Sequence, residues 1–260
     1  MRPLRFTGVL LGALVLAACT KDAIQLDDIT APLSGARVKF FNFGINAPQV
    51  NFYANTNKIS AIPSVTGLES TVGVAYGAAA AGNLYTGIAA GDYSFSGRIS
   101  ATVDKDLPVS TIPATIVSGK AYSVYMAGVY DAAAKRVDGF VVEDQFPDTF
   151  DFTQALVRFV NASPNAQPMQ LFLSNTTAAT ETAVGAVATA FKGAGSFTAA
   201  PQGAYDVILR LPGSPTNVVT RTNVSFLAGR VYTITLRGDM TLSPTGTLVT
   251  RPFLDNSLNR

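Results

Sequence analysis

The sequence predicts an all-β protein: two tandem antiparallel β-sandwiches, immunoglobulin-like in kind, behind an N-terminal export segment and a tether. Three observations carry this. The body of the chain is written twice, each copy consists of short runs with period two, and turn formers divide those runs at sandwich-like intervals.

The export segment comes first. Arg2 and Arg5 precede an uncharged apolar run from Phe6 to Ala18. The run is shorter than the roughly 20 residues a membrane-spanning helix needs, and a cationic start with a short apolar centre describes a secretory signal peptide over 1–18. Its last four letters, Leu16-Ala17-Ala18-Cys19, resemble the lipobox of bacterial lipoproteins. The resemblance implies cleavage between Ala18 and Cys19, a diacylglyceryl group on the Cys19 thiol, and a fatty acyl chain such as palmitate on the new amino group. One acyl chain holds a membrane only marginally, so two or three are needed for durable attachment. It also implies sorting: Thr20, where inner-membrane lipoproteins carry aspartate, favours the outer membrane, facing the periplasm or the cell surface. Lys21-Asp22 is a weak echo of an acidic surface-export tag. Residues 19–35, with Asp27, Asp28, Pro32 and Gly35, read as the lipidated N-terminus and its tether.

Cleavage changes the charge. Losing Arg2 and Arg5 leaves 17 bases against 17 acids, so no basic face for nucleic acid is implied. Cys19 is the single cysteine, so no disulfide can staple the fold and the hydrophobic core must hold it.

The duplication follows. "ARVKFFNFGINAPQVNFYAN" at 36–55 returns as "ALVRFVNASPNAQPMQLFLS" at 155–174, an offset of 119. "YTGIAAGDYSF" from Tyr85 returns as "FTAAPQGAYDV" from Phe197, offset 112, and "SGKAYSVYMAG" at 118–128 as "AGRVYTITLRG" at 228–238, offset 110. Domains at 36–145 and 155–250 are expected, joined by a linker at 146–154 and followed by a tail at 251–260; two copies this long do not make a solenoid. In the first copy Tyr122, Val124 and Met126 alternate with Ser123, Tyr125 and Ala127, the pattern of a half-buried strand. "ETAVGAVATAF" at 181–191 is alanine-rich but interrupted by Gly185 and β-branched residues, and is read as strand or loop.

The repeated segment "VRFVNASPNAQPMQLFL", with its Gly-x-Tyr strand and "LAGRVYTITLRG", resembles the bacterial family known as domain of unknown function 4397. The second copy fits better, since "NFGIN" replaces "NASPN" in the first. The resemblance implies an exported, often lipid-anchored β domain, commonly in tandem, and carries no catalytic residue over to this chain.

Function is bounded by what residues are present. With no histidine, Ser-His-Asp and Cys-His chemistry and His-based metal sites are excluded. No cofactor is expected. The acids Glu143, Asp144, Asp148 and Asp151 around Pro147 could hold calcium between the copies, though they lack EF-hand spacing and read as a solvated linker; Asp104-Lys105-Asp106 is weaker still. A carboxylate-dependent glycoside hydrolase is the remaining enzymatic alternative, but Glu69, Glu143 and Glu181 are the only glutamates and no aligned acid recurs in both copies. What recurs is Asn42/Asn161, Asn46/Asn165, Lys39/Arg158 and Lys120/Arg230, a pattern that points to structure. A glycan-capturing surface lipoprotein would need exposed aromatics; Tyr53, Tyr85, Tyr125, Tyr130 and Phe172 are candidates, and tryptophan is absent. The expected role is therefore non-catalytic: binding, adhesion or scaffolding in the cell envelope, with the membrane engaged through lipid and an envelope protein or glycan as partner.

Overall fold

The computed structural model describes residues 35–61 and 69–260. The signal segment, the Ala18/Cys19 cleavage and lipidation site and the tether up to residue 34 lie outside the described residues. Among the described residues seventeen strands form, and the only helical element is a 3-10 turn at Ala80–Asn83. The first copy contributes β1 (Ala36–Ile45), β2 (Val50–Ala54), β3 (Asn57–Lys58), β4 (Ala78–Ala79), β5 (Thr86–Ile88), β6 (Gly91–Ile99), β7 (Ile112–Ile116), β8 (Ala121–Val129) and β9 (Gly139–Glu143). The second contributes β10 (Gln154–Asn161), β11 (Met169–Asn175), β12 (Glu181–Thr189), β13 (Thr198–Pro201), β14 (Gly203–Arg210), β15 (Asn217–Phe226), β16 (Val231–Arg237) and β17 (Phe253–Leu258).

Each copy is a sandwich of two sheets, as expected. One sheet is wholly antiparallel, in order β3-β2-β6-β7 and β12-β11-β14-β15. The other runs β4-β1-β8-β9, with β5 also on β1, and β13-β10-β16-β17. Here the structure adds a detail. The first strand of each copy lies parallel to the penultimate one, β1 to β8 and β10 to β16, because the intervening chain crosses to build the opposite sheet before returning.

The duplication is visible at the level of single hydrogen bonds. The left-handed glycines Gly119 and Gly229 donate from their amides to Gly35 and Gln154 carbonyls, and the next carbonyls, Lys120 and Arg230, accept from Arg37 and Leu156 amides. The Tyr93 and Tyr205 hydroxyls each donate to a carbonyl four residues upstream, Ala89 and Pro201. Val117 and Leu227 amides donate to the Tyr122 and Tyr232 hydroxyls. Four of the nine tyrosines are thereby used as corner braces. Asn42 and Asn161 are wholly buried; each accepts from the amide two residues on and donates to a distant backbone carbonyl, that of Val74 or of Thr189 at the end of β12. Asn46 occupies a left-handed turn position at φ 61°, while Asn165 bridges Asp239 and the Met240 amide. All four asparagines are structural.

Three expectations are corrected. First, β8 is buried on both faces, not one: Tyr122, Val124 and Met126 point into the core of their own sandwich, and Ser123, Tyr125 and Ala127 are covered from outside. Second, the 251–260 tail is the last strand, β17, which pairs with β16 from Phe253–Arg237 to Leu258–Tyr232 as β9 pairs with β8. Third, the acidic segment after β9 is not all solvated, since Asp144 is buried. The "ETAVGAVATAF" segment is strand β12, with Gly185 at φ +73° interrupting it.

The covered face of β8 and the buried Asp144 have one cause. Each copy has its own core, but a third cluster joins them: Phe41 and Phe43 of β1, Tyr125 and Ala127 of β8, Phe140 and Val142 of β9, Val160 of β10 and Ala162 just after it. The two mixed sheets pack outer face to outer face. Tyr125 is sandwiched between the Phe41 ring at 4.8 Å and the Phe140 ring at 5.0 Å, and Phe191 of the second copy meets Phe140 edge-on at 6.1 Å. Each such aromatic contributes about 1.5–3 kcal/mol by leaving water. The described residues form one compact unit rather than two beads on a linker.

Candidate functional site

The largest concentration of buried charge lies in this seam. β1 and β10 each place a cation on their outer face, Lys39 and Arg158, both 2% exposed. The Lys39 amine donates to the Leu258 carbonyl of the other copy at 2.5 Å, and the Arg158 guanidinium donates from Nη1 to the Glu143 carbonyl of the other copy at 3.2 Å. Glu143 pairs with Tyr122 and Leu258 with the matching Tyr232, so these two acceptors are themselves equivalent. Lys39 also stands over the Tyr85 ring at 4.3 Å, and Arg158 over the equivalent Phe197 ring at 5.0 Å. The seam is a two-fold, self-complementary interface made within one chain.

The symmetry breaks at one carboxylate. Asp144, where the second copy carries Asn259, forms a buried ion pair with Arg158 Nη2. Its oxygens also accept from Ser123 Oγ at 2.9 Å and the Tyr85 hydroxyl at 2.6 Å, while Thr233 Oγ1 accepts from Arg158 Nε at 3.0 Å. Asn259 Nδ2 donates to the Tyr85 hydroxyl at 3.0 Å. Among the described residues, no carboxylate is paired with Lys39 as Asp144 is with Arg158. Burial lowers its pKa to about 8, Asp144 partly opposes that, and Arg158 adds to it. Burial pushes the Tyr85 hydroxyl far up, with the Asp144 charge adding to it, and raises Tyr125 to about 12.

A second polar group closes the seam at the other end of the sheets. Arg237 forms an ion pair with Asp255 and lies over the Tyr76, Phe43 and Phe253 rings. Gly77 at φ +79° permits this approach, since a β-carbon there would stand 3.0 Å from the guanidinium. Lys192 reaches across to Asp138 at 2.5 Å.

The other candidates are dispersed. Tyr125 is in the seam and Tyr85 is engaged by Asp144; Tyr53 donates to Asp106 at 2.7 Å under Arg98, Tyr130 packs on the first core, and Phe172 lies under Arg210. The glutamates are each tied to a different cation: Glu69 to Lys58, Glu143 to Lys120 and Glu181 to Arg210. Of the linker acids, Asp144 faces inward to Arg158 and Asp151 caps its own turn through Thr153, so the structure does not bring the four together. Asp104 and Asp106 likewise diverge, to Lys135 and Tyr53.

The sequence already showed the recurring Lys39/Arg158 pair but not its partners. A cation in mid-strand, flanked by "VKF" and "VRF", is the signal that was available; Asp144 and Tyr85 lie at distant positions that only the fold brings to it.

A duplicated β-sandwich whose halves share a self-complementary seam defines the class of this protein. The family model described as Domain of unknown function (DUF4397) matches residues 36–172 and again 155–259, and the chain belongs to that family. Comparison with curated proteins finds no match.

Proposed function

We propose that this chain is a lipid-anchored cell-envelope protein that acts without catalysis, as a rigid scaffold or adhesive module. The observation that carries this reading is how the recurring polar side chains are spent. Asn42/Asn161, Lys39/Arg158 and the paired tyrosines all serve turns, corners or the seam. Groups committed to fixing two sandwiches as one body suit a part whose task is to hold shape. The lipobox-like Leu16-Ala17-Ala18-Cys19 supports the anchor, and Thr20 supports the outer membrane as destination.

Protease shaving of intact cells tests placement. Loss of residues 36–260 with a periplasmic control intact supports a surface adhesin; survival supports a periplasm-facing scaffold. Pull-down with the body against glycans and envelope extract then separates capture from assembly. Retention of a glycan alone counts against the scaffold role.

A further inference from the structure

The seam is two-fold in its backbone, but its side chains are divided by size. In the first copy the ladders set Phe41, Tyr125 and Phe140 in one row across β1, β8 and β9. The equivalent row across β10, β16 and β17 is Val160, Thr235 and Asp255. Phe43 likewise answers to Ala162, 119 residues on. Bulky rings thus stand on one side and small side chains on the other. Tyr125 and Thr235 hold the same place in their copies, both are buried, and Thr235 lies close enough to the Tyr125 hydroxyl to influence its ionisation. The pseudo-two-fold axis therefore passes between these two residues. Charge is divided along the same line. Asp144 belongs to the copy that carries Lys39, and its counterpart Asn259 to the copy that carries Arg158. Joining unlike copies sets Arg158 against Asp144 and leaves the neutral Asn259 to Lys39, the cation of the two that can shed its proton.

We infer that the seam is a sorting interface: the outer face of the first copy fits a domain of the second kind and rejects its own kind, with Tyr125/Thr235 and Asp144/Asn259 as the deciding pairs. Two first copies joined this way would set Tyr125 against Tyr125 among the Phe41 and Phe140 rings, an overpacked axis. Two second copies would set Thr235 against Thr235 and leave voids where rings now stand. They would also bury each Arg158 against Asn259, an amide that cannot compensate it. Like pairs therefore fail by different means, the first by crowding and the second by voids and unpaired charge. The duplicated backbone favours no pairing over another, so discrimination lies in these side chains, as repulsion of the wrong partner as well as attraction of the right one. Within one chain the right partner is the second copy. Between chains the same faces keep like copies apart.

The size rule is tested in the full chain. Tyr125→Thr and Thr235→Tyr should each lower the urea midpoint, the first by a cavity and the second by crowding. The double variant only exchanges the large and small sides, so it should recover more than half of the summed loss. Losses that simply add overturn the size rule. Sorting is tested by cutting the folded chain at a specific protease site placed between Pro147 and Asp148, both exposed and both between β9 and β10. The cut protein is unfolded in urea, refolded, and its pairs are identified by native mass spectrometry. The wild type should return first-with-second pairs alone. Asn259→Asp gives Arg158 a carboxylate in a pair of second copies, so such pairs should appear, with first copies left over. Wild-type pairs in the proportions of random assortment overturn the sorting interface. An Asn259→Asp protein that sorts as the wild type does removes Asp144/Asn259 from the deciding pairs.

Discussion

Lys39 and Arg158, 119 residues apart, are symmetry mates that each cap the last strand of the opposite copy, yet among the described residues only Arg158 has a carboxylate paired with it. The duplication created two equivalent cation positions. Asp144 against Asn259 then left one of them compensated and the other not. Three predictions follow from that asymmetry and from the seam around it, and a fourth from the corner tyrosines.

Asp144→Asn should be costly. It leaves Arg158 buried beside an amide, and breaking one side of a buried pair costs about 3–5 kcal/mol. Adding Arg158→Met should recover most of that loss, because the uncompensated charge is gone. Urea unfolding midpoints of the single and double variants check both statements.

Lys39 gives the seam a pH signature. With a folded pKa of about 8 against an ordinary 10.5, the unfolded chain binds more protons between those values. The Lys39 contribution to stability therefore rises with pH across that window, by about 1 kcal/mol from pH 8 to pH 9. Below pH 8 the cost of burying the protonated amine is fully present. Lys39→Met should abolish the rise and be neutral to stabilising at pH 7. Denaturation at pH 7, 8 and 9 measures it, short of pH 10, where unfolded tyrosines are half ionised and the raised tyrosines of the fold pull the other way. Parallel slopes for wild type and variant would exclude Lys39 as the source.

The seam should make the copies unfold together. Phe41, Tyr125 and Phe140 bury their rings against each other and the second copy, and Tyr125→Ala should cost about 3–5 kcal/mol. Calorimetry should show one transition for the wild type with matching calorimetric and van't Hoff enthalpies. The variant should show two. A wild type that already melts in two steps contradicts a shared core.

The corner tyrosines should differ in strength despite equal geometry. Tyr205 is 3% exposed and its bond to Pro201 is partly buried, whereas the Tyr93 bond to Ala89 is exposed. Tyr205→Phe should cost about 1 kcal/mol and Tyr93→Phe less, by urea midpoint.

Much of this architecture was legible in the sequence because it is local. The duplication, the period-two strands and the asparagine turns depend on neighbours within about ten residues, and "AYSVYMAG" and "VYTITLRG" declare their strands by alternation. The seam is not local. Tyr125 and Ala127 give no sign of which distant face covers them, so β8 read as half-buried. β17 was missed because "FLDNSL" carries a charge in mid-strand, and Asp255 is tolerated there only through Arg237. Asp144 looked like one of four solvated acids; what sets it apart is Arg158, placed opposite by the pairing of sheets.

Mass spectrometry of the mature N-terminal peptide from the membrane fraction decides whether the protein is lipid-anchored. A lipoprotein gives a chain beginning at Cys19 with a diacylglyceryl thioether and an acylated amino group. A chain that begins elsewhere, or that carries an unmodified Cys19 thiol, contradicts the anchor.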